Sequence, residues 1–282
     1  MKESMPEEIR QVVPQPLWDL ARKSWYGLVR AGQWPAARFH PWRVASRRRL
    51  EGYRGVHRAQ RGFIIGNGPS LKQTDLTRLR DEITFGMNRI YLLFPELGFQ
   101  TTYYLSVNDL VIEQCRDDIL KLDMPRFLAW RSRRYFEDVF ASGERLPQDE
   151  SIMFLHTTYT GPRFTRDVRG RLWEGATVTY VALQLAYFMG FQQVILIGVD
   201  HNFSTRGKPN TTVISQGDDP DHFSSNYFGQ GFRWQLPDLE TSEKAYRMAR
   251  AVFNSEGREV LDATVGGKLT VFPKVEYESL FQ

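Results

Sequence analysis

From residue 62 onward, short apolar runs alternate with longer segments of helical spacing. The runs predict strands at 62–66, 83–87, 102–107, 126–130, 151–155, 194–199 and 259–262. The spacing predicts helices over 109–121, 178–189 and 241–256. Alternation of this kind predicts an α/β fold: a Rossmann-like, mostly parallel sheet with helices on both faces. The segment 178–189 is apolar nearly all round, as a helix buried against a sheet is. Gly190 and Gly257 follow the last two helices, at the position where a left-handed residue ends a helix and glycine adopts it without steric cost. Upstream, Leu17, Leu20, Ala21, Trp25, Leu28 and Val29 give a helix over 15–32, which Pro35 and Pro41 are expected to break before a basic stretch runs to Arg61. Between 203 and 237 no period holds and polar residues mix with aromatic ones, so this long segment reads as a lid. The expected organisation is a helical N-terminal segment, 1–60, followed by a nucleotide-binding catalytic domain, 61–282.

Charge sharpens that division. The net charge is +4, but residues 1–60 carry 12 Lys/Arg against 5 Asp/Glu, a net of +7, and the remainder carries 25 against 28, a net of −3. Trp18, Trp25, Trp34 and Trp42, four of the seven tryptophans, also lie in the first segment. Basic residues interleaved with Trp suit the headgroup region of an anionic membrane, and equally a helical appendage packing its Trp on the main domain. Nucleic acid is not expected, because the Arg47-Arg48-Arg49 run is short and no recognised nucleic-acid module follows it. The single cysteine, Cys115, leaves no internal disulfide and no multi-cysteine metal site. No window approaches 18 consecutive apolar residues and the first residues lack an apolar core, so a cytoplasmic protein is expected, peripheral at most to the inner face of a membrane.

Four segments carry candidate chemistry. In Phe63-Ile64-Ile65-Gly66-Asn67-Gly68-Pro69-Ser70-Leu71 an apolar strand runs into a turn whose two glycines permit close approach. Ligands bind at the carboxyl ends of strands in open α/β sheets, and free N–H groups of such a turn could cradle a phosphate. Leu71 stands where the dinucleotide fingerprint needs glycine, and no Gly-Lys-Ser/Thr follows, so neither that fingerprint nor a P-loop is completed. Asn88, about 20 residues on, ends the second strand and can pair with ribose hydroxyls or a base edge, or close a turn. Gly175-Ala176-Thr177-Val178-Thr179 opens the buried helix, where Thr177 and Thr179 can cap it or meet an anion. Asp200 and His201 end the strand Val194–Val199, and His201 is a candidate base that its neighbour would not orient directly, since adjacent strand residues face opposite ways. In the lid, His222 is the first candidate base. The acidic cluster Asp218, Asp219 and Asp221 either faces water or holds Mg²⁺.

The Gly-Asn-Gly-Pro-Ser turn, the Asn of Gly-Met-Asn-Arg and the run Ala182 to Asp200 together resemble the bacterial glycosyltransferase family 42 sialyltransferases. They also resemble the sister family of motility-associated factors and archaeal 6-hydroxymethylpterin diphosphokinases, to which Asp262-Ala-Thr-Val-Gly-Gly-Lys-Leu looks closer. The resemblance covers roughly residues 60–275. It implies a Rossmann-like domain with a lid that binds a CMP-activated sialic-acid-like donor without a metal or other cofactor. It further implies an inverting transfer to a glycan or lipid-linked acceptor. Carried over, Gly66, Asn67, Gly68, Pro69, Ser70 and Asn88 would line the nucleotide, with Thr177 and Thr179 at the start of the buried helix as further nucleotide-binding candidates read from the residues themselves. His222 would be the base, with His201 as second choice beside Asp200. The sialyltransferase lid reads His-x-x-x-His, and here Asn226 holds the second position. The paired tyrosines for the leaving phosphate are replaced by Asn202 and Lys208, which leaves Arg206 or Lys208 to stabilise that charge. The alternatives are ATP-dependent pyrophosphoryl transfer to a hydroxymethylpterin, with Mg²⁺ on the lid aspartates, and a non-catalytic nucleotide-binding adaptor. A homo-oligomer is left open.

Overall fold

The computed structural model describes residues 14–137, 150–159, 161–205 and 207–282. Its centre is a sheet of eight strands, all parallel: β1 (Arg61–Ile65), β2 (Thr84–Met87), β3 (Tyr103–Ser106), β4 (Arg126–Ala129), β5 (Ile152–Thr158), β6 (Arg171–Trp173), β7 (Gln193–Ile197) and β10 (Glu259–Asp262). Two further strands, β8 (Thr212–Ile214) and β9 (Arg233–Gln235), form a separate antiparallel hairpin. The helices are α1 (Gln15–Phe39), α2 (Pro41–Glu51), α3 (Phe94–Leu97), α4 (Asp109–Leu120), α5 (Val178–Met189) and α6 (Leu239–Asn254). The α/β reading of the sequence holds.

Spatial order in the sheet is β10-β7-β1-β2-β3-β4-β5-β6. The chain therefore winds outward from β1 to β6, returns through α5, and lays β7 against the other side of β1, with Ile65 opposite both Gly86 and Ile197. Right-handed crossovers running in opposite directions place α4 and α5 on opposite faces. The topological switch point lies between β1 and β7, and the crevice at their carboxyl ends is where such sheets bind ligands. β1 and β7 have four of five residues buried because both faces are covered. α5 is buried along nearly its whole length, as its sequence required. Thr177 caps its start and Gly190, at φ 93°, ends it.

Compact units divide the chain at Met1–Val44 and Ala45–Gln282. The stretch after Ala45 packs with the sheet: Ser46 Oγ accepts from the Phe154 N–H at 2.9 Å, and the His57 N–H donates to the Met189 carbonyl at 2.8 Å. The expected break at Pro35 does not occur, since α1 continues through it to Phe39. One lost backbone bond is not enough to end a helix that still has a turn to run. Pro41 opens α2 instead of ending a helix; at a first helical position its missing N–H costs nothing. Among the described residues no helix is long and apolar enough to cross a membrane.

Candidate active site at the switch point

The turn after β1 is held by the turn after β7. The Gly66 N–H donates to the Ile197 carbonyl at 2.7 Å, and the Gly68 N–H to the Gly198 carbonyl at 2.9 Å. Ser70 then donates twice to Asp200, from its backbone N–H at 3.1 Å and its hydroxyl at 2.7 Å. Asp200 and Ser70 thus form a clamp across the switch point. Burial pushes the Asp200 carboxyl up from its ordinary value, against the opposing pull of the two Ser70 bonds. The expected phosphate cradle is not formed by this turn. Its Gly66, Gly68 and Ser70 N–H groups are spent inside the protein, and Pro69, which opens a short 3₁₀ helix, has none. What remains open at β1 is Asn67. Its Oδ1 is buried with no hydrogen-bond partner among the described residues, while its carbonyl accepts from the Phe223 N–H of the lid at 3.0 Å.

Beside it, Asn88 ends β2 in the left-handed region at φ 53°. Its Oδ1 accepts from the Ser106 hydroxyl at 3.0 Å and its carbonyl from the Tyr104 hydroxyl at 2.6 Å, so the neighbouring strand β3 holds both its side chain and its backbone. Arg89, next in sequence, reaches into the lid. Its guanidinium donates to the Tyr227 carbonyl and lies 5.1 Å from the Phe232 ring centre, and its backbone N–H donates to the Tyr227 hydroxyl at 3.3 Å. The hairpin β8–β9 rests on α4, where Gln114 exchanges two bonds with the Arg233 backbone at 2.8 and 2.9 Å and Glu113 pairs with the Arg233 side chain. The lid is thereby seated over the carboxyl ends of β1 and β2.

Within the lid, His222 Nδ1 lies 2.9 Å from both oxygens of Asp219. The imidazole stacks on Tyr227 at 4.0 Å with 2° between planes, and Phe228 meets its edge. Nε2 has no hydrogen-bond partner among the described residues. Asp219 also accepts from the N–H groups of Asp221 and Phe228, and Asp221 accepts from the N–H groups of Ser204 and Thr205. These carboxylates are the lid's internal scaffold, and Asp218 is exposed apart from them. Of the two readings of the cluster, facing water holds for Asp218 alone, because Asp219 and Asp221 are buried; among the described residues no group of three or more His, Cys, Asp or Glu side chains could hold a metal ion.

The other sequence candidates are placed elsewhere. His201, at φ 54°, turns its Nε2 to Glu243 of α6 at 3.2 Å and not to Asp200. Thr177 accepts from the Thr179 N–H at 3.3 Å and meets the Tyr246 hydroxyl, also at 3.3 Å. Lys208 is exposed on the lid, and Arg206 lies outside the described residues. Missing from the sequence reading were Arg89 as the lid's anchor and Asp219 as the partner of His222. The second was readable in principle, as Asp and His three residues apart in one turn.

No protein-family model matches the chain, and no curated protein matches it. Among solved structures it is similar to a MAf glycosyltransferase from Magnetospirillum magneticum, at 14% identity and a TM-score of 0.47, over 92% of this chain and 42% of that one. The chain thus spans less than half the length of that protein.

Proposed function

We propose that this protein is an inverting glycosyltransferase that moves an acidic, sialic-acid-like sugar from a CMP-activated donor to a hydroxyl of a glycan or lipid-linked acceptor. The observation that carries the reading is the Asp219–His222 pair on a lid seated over the ends of β1 and β2. A carboxylate on Nδ1 fixes the tautomer in which Nε2 holds the lone pair, the arrangement of an oriented general base. Nε2 takes the proton of the acceptor hydroxyl as its oxygen attacks the anomeric carbon. The bond from that carbon to the CMP phosphate oxygen breaks, and CMP leaves with the electron pair from the opposite face. Asn67 and Asn88 meet the nucleotide at the strand ends, and Lys208 or Arg206 neutralises the departing phosphate. Asp200 and Ser70, bound to each other, act here as the frame of the turn and not as reacting groups.

ATP-dependent pyrophosphoryl transfer finds less support, since Asp219 and Asp221 already accept hydrogen bonds from the lid's own N–H groups and from His222. The test is a thermal shift with CMP, CDP, UDP, GDP and ATP, each with and without Mg²⁺, followed by CMP release from CMP-sialic acid in EDTA. A metal-independent shift with CMP and CMP release that His222→Ala abolishes are expected. A shift with ATP and Mg²⁺ alone overturns the reading, as does nucleotide binding without any transfer that His222→Ala affects.

A further inference from the structure

Helix α1 turns large apolar side chains to water. Leu17, Leu28 and Phe39 are 57%, 71% and 66% exposed. Their spacing of eleven residues is three helical turns plus about 20°. All three therefore lie on one side of α1, in a row about 33 Å long at 1.5 Å per residue. Trp34, farther round the helix, is also 48% exposed. Single exposed apolar residues are ordinary on any protein, but an aligned row on one helix marks a surface that something covers.

Charge says what covers it. Residues 1–60 carry a net +7 while the rest of the chain carries −3, and the sequence of α1 holds Arg22, Lys23, Arg30 and Arg38 against the single acid Asp19. A second copy of the chain would bring +7 against +7. A nucleic acid would answer the charge but leave the apolar row in water. An anionic lipid surface answers both: its potential attracts the basic side chains, and its headgroup–acyl boundary takes up leucine and aromatic side chains. Because no described helix is apolar enough to span, the helix would lie in the plane of the surface.

We propose that α1 is an in-plane anchor that holds the protein on an anionic membrane surface through the Leu17, Leu28 and Phe39 row and the basic residues of the N-terminal segment. The proposal is independent of the catalytic reading. It is tested by floating the full chain with vesicles of phosphatidylcholine alone and of phosphatidylcholine with about 30% phosphatidylglycerol, at low and high salt. Binding to the anionic vesicles is expected to be at least tenfold stronger than to the neutral ones and to fall at about 0.5 M salt. Leu28→Glu and Phe39→Glu should each weaken it about tenfold or more, with Leu28→Trp restoring it and the thermal midpoint unchanged in all three. Equal flotation of the Glu variants and the native chain overturns the proposal, as does an absence of flotation on anionic vesicles. Two further outcomes also overturn it: self-association that Leu28→Glu abolishes in a protein that ignores vesicles, and binding to an oligonucleotide alone.

Discussion

Replacing Gly66 with alanine separates two reasons for a glycine turn, close approach by a ligand and close approach by the protein itself. A Cβ at Gly66 would sit 2.1 Å from the Gly198 carbonyl oxygen, 2.6 Å from its carbon and 3.1 Å from the Val199 nitrogen. All three are backbone atoms at the end of a buried strand, so no side chain can swing away. Restoring ordinary contact requires β1 and β7 to part by about 1 Å at the switch point. Across that gap run the Gly66 and Gly68 N–H bonds to the Ile197 and Gly198 carbonyls, at 2.7 and 2.9 Å. A buried backbone group left without its partner costs about 1–3 kcal/mol, and strain from overpacking a further 1–3, so the variant should lose about 2–6 kcal/mol. For a domain of this size, that lowers the melting midpoint by about 10 °C, read by circular dichroism. A midpoint within about 2 °C of the native protein would refute the argument. If nucleotide affinity fell while the midpoint stayed, the glycine would be serving the ligand.

Three further outcomes follow from the geometry. His222→Ala should lower CMP release by about 10²–10⁴-fold, and Asp219→Asn by less, with KM for the donor changed little; equal rates in the three proteins would remove His222 as the base. Arg89→Ala should loosen the lid and speed limited proteolysis between 203 and 237 without lowering the thermal midpoint of the sheet; an unchanged cleavage rate would show that Arg89 does not anchor it. Because burial raises the Asp200 carboxyl, the folded state favours its neutral form. Its stabilising contribution is then full below the unfolded-state value and declines as pH rises through the folded-state value. The midpoint of Asp200→Asn relative to the native protein should therefore climb as pH rises above the ordinary carboxylate value and level off above the folded-state value, and a flat difference would contradict the upward shift.

Six of the sheet strands are legible because each is a short, mostly buried apolar run, the condition under which burial writes the pattern, and the edge strand β10 is legible from the buried Val260 and half-buried Leu261 after the Gly257 stop. β6 is not: Arg171–Trp173 is three residues long at a sheet edge, with only its middle residue buried. β8 and β9 alternate exposed and half-buried residues on a hairpin outside the core, so no periodic signal marks them. At the site, the sequence places Gly66, Asn88 and Asp200 at strand ends, because ends follow from runs. It does not reveal that Asp200 binds Ser70, a contact between residues 130 positions apart that depends on strand order. Nor does it reveal that Arg89 belongs to the lid, which depends on where an aperiodic segment comes to rest.

The position of β7 beside β1 bears on how the chain is made. Strands β1 to β5 can pair in the order in which they emerge from the ribosome, each beside its predecessor. The other edge of β1, Arg-Gly-Phe-Ile-Ile, meets its partner only when Gln193–Ile197 has been synthesised, roughly 6–25 s later at 5–20 residues per second. Throughout that interval the nascent protein presents an apolar, unpaired strand edge, a template for pairing with another chain. Products that stop short of β7 keep that edge permanently, so chaperone demand and aggregation of truncated forms should both centre on residues 61–65.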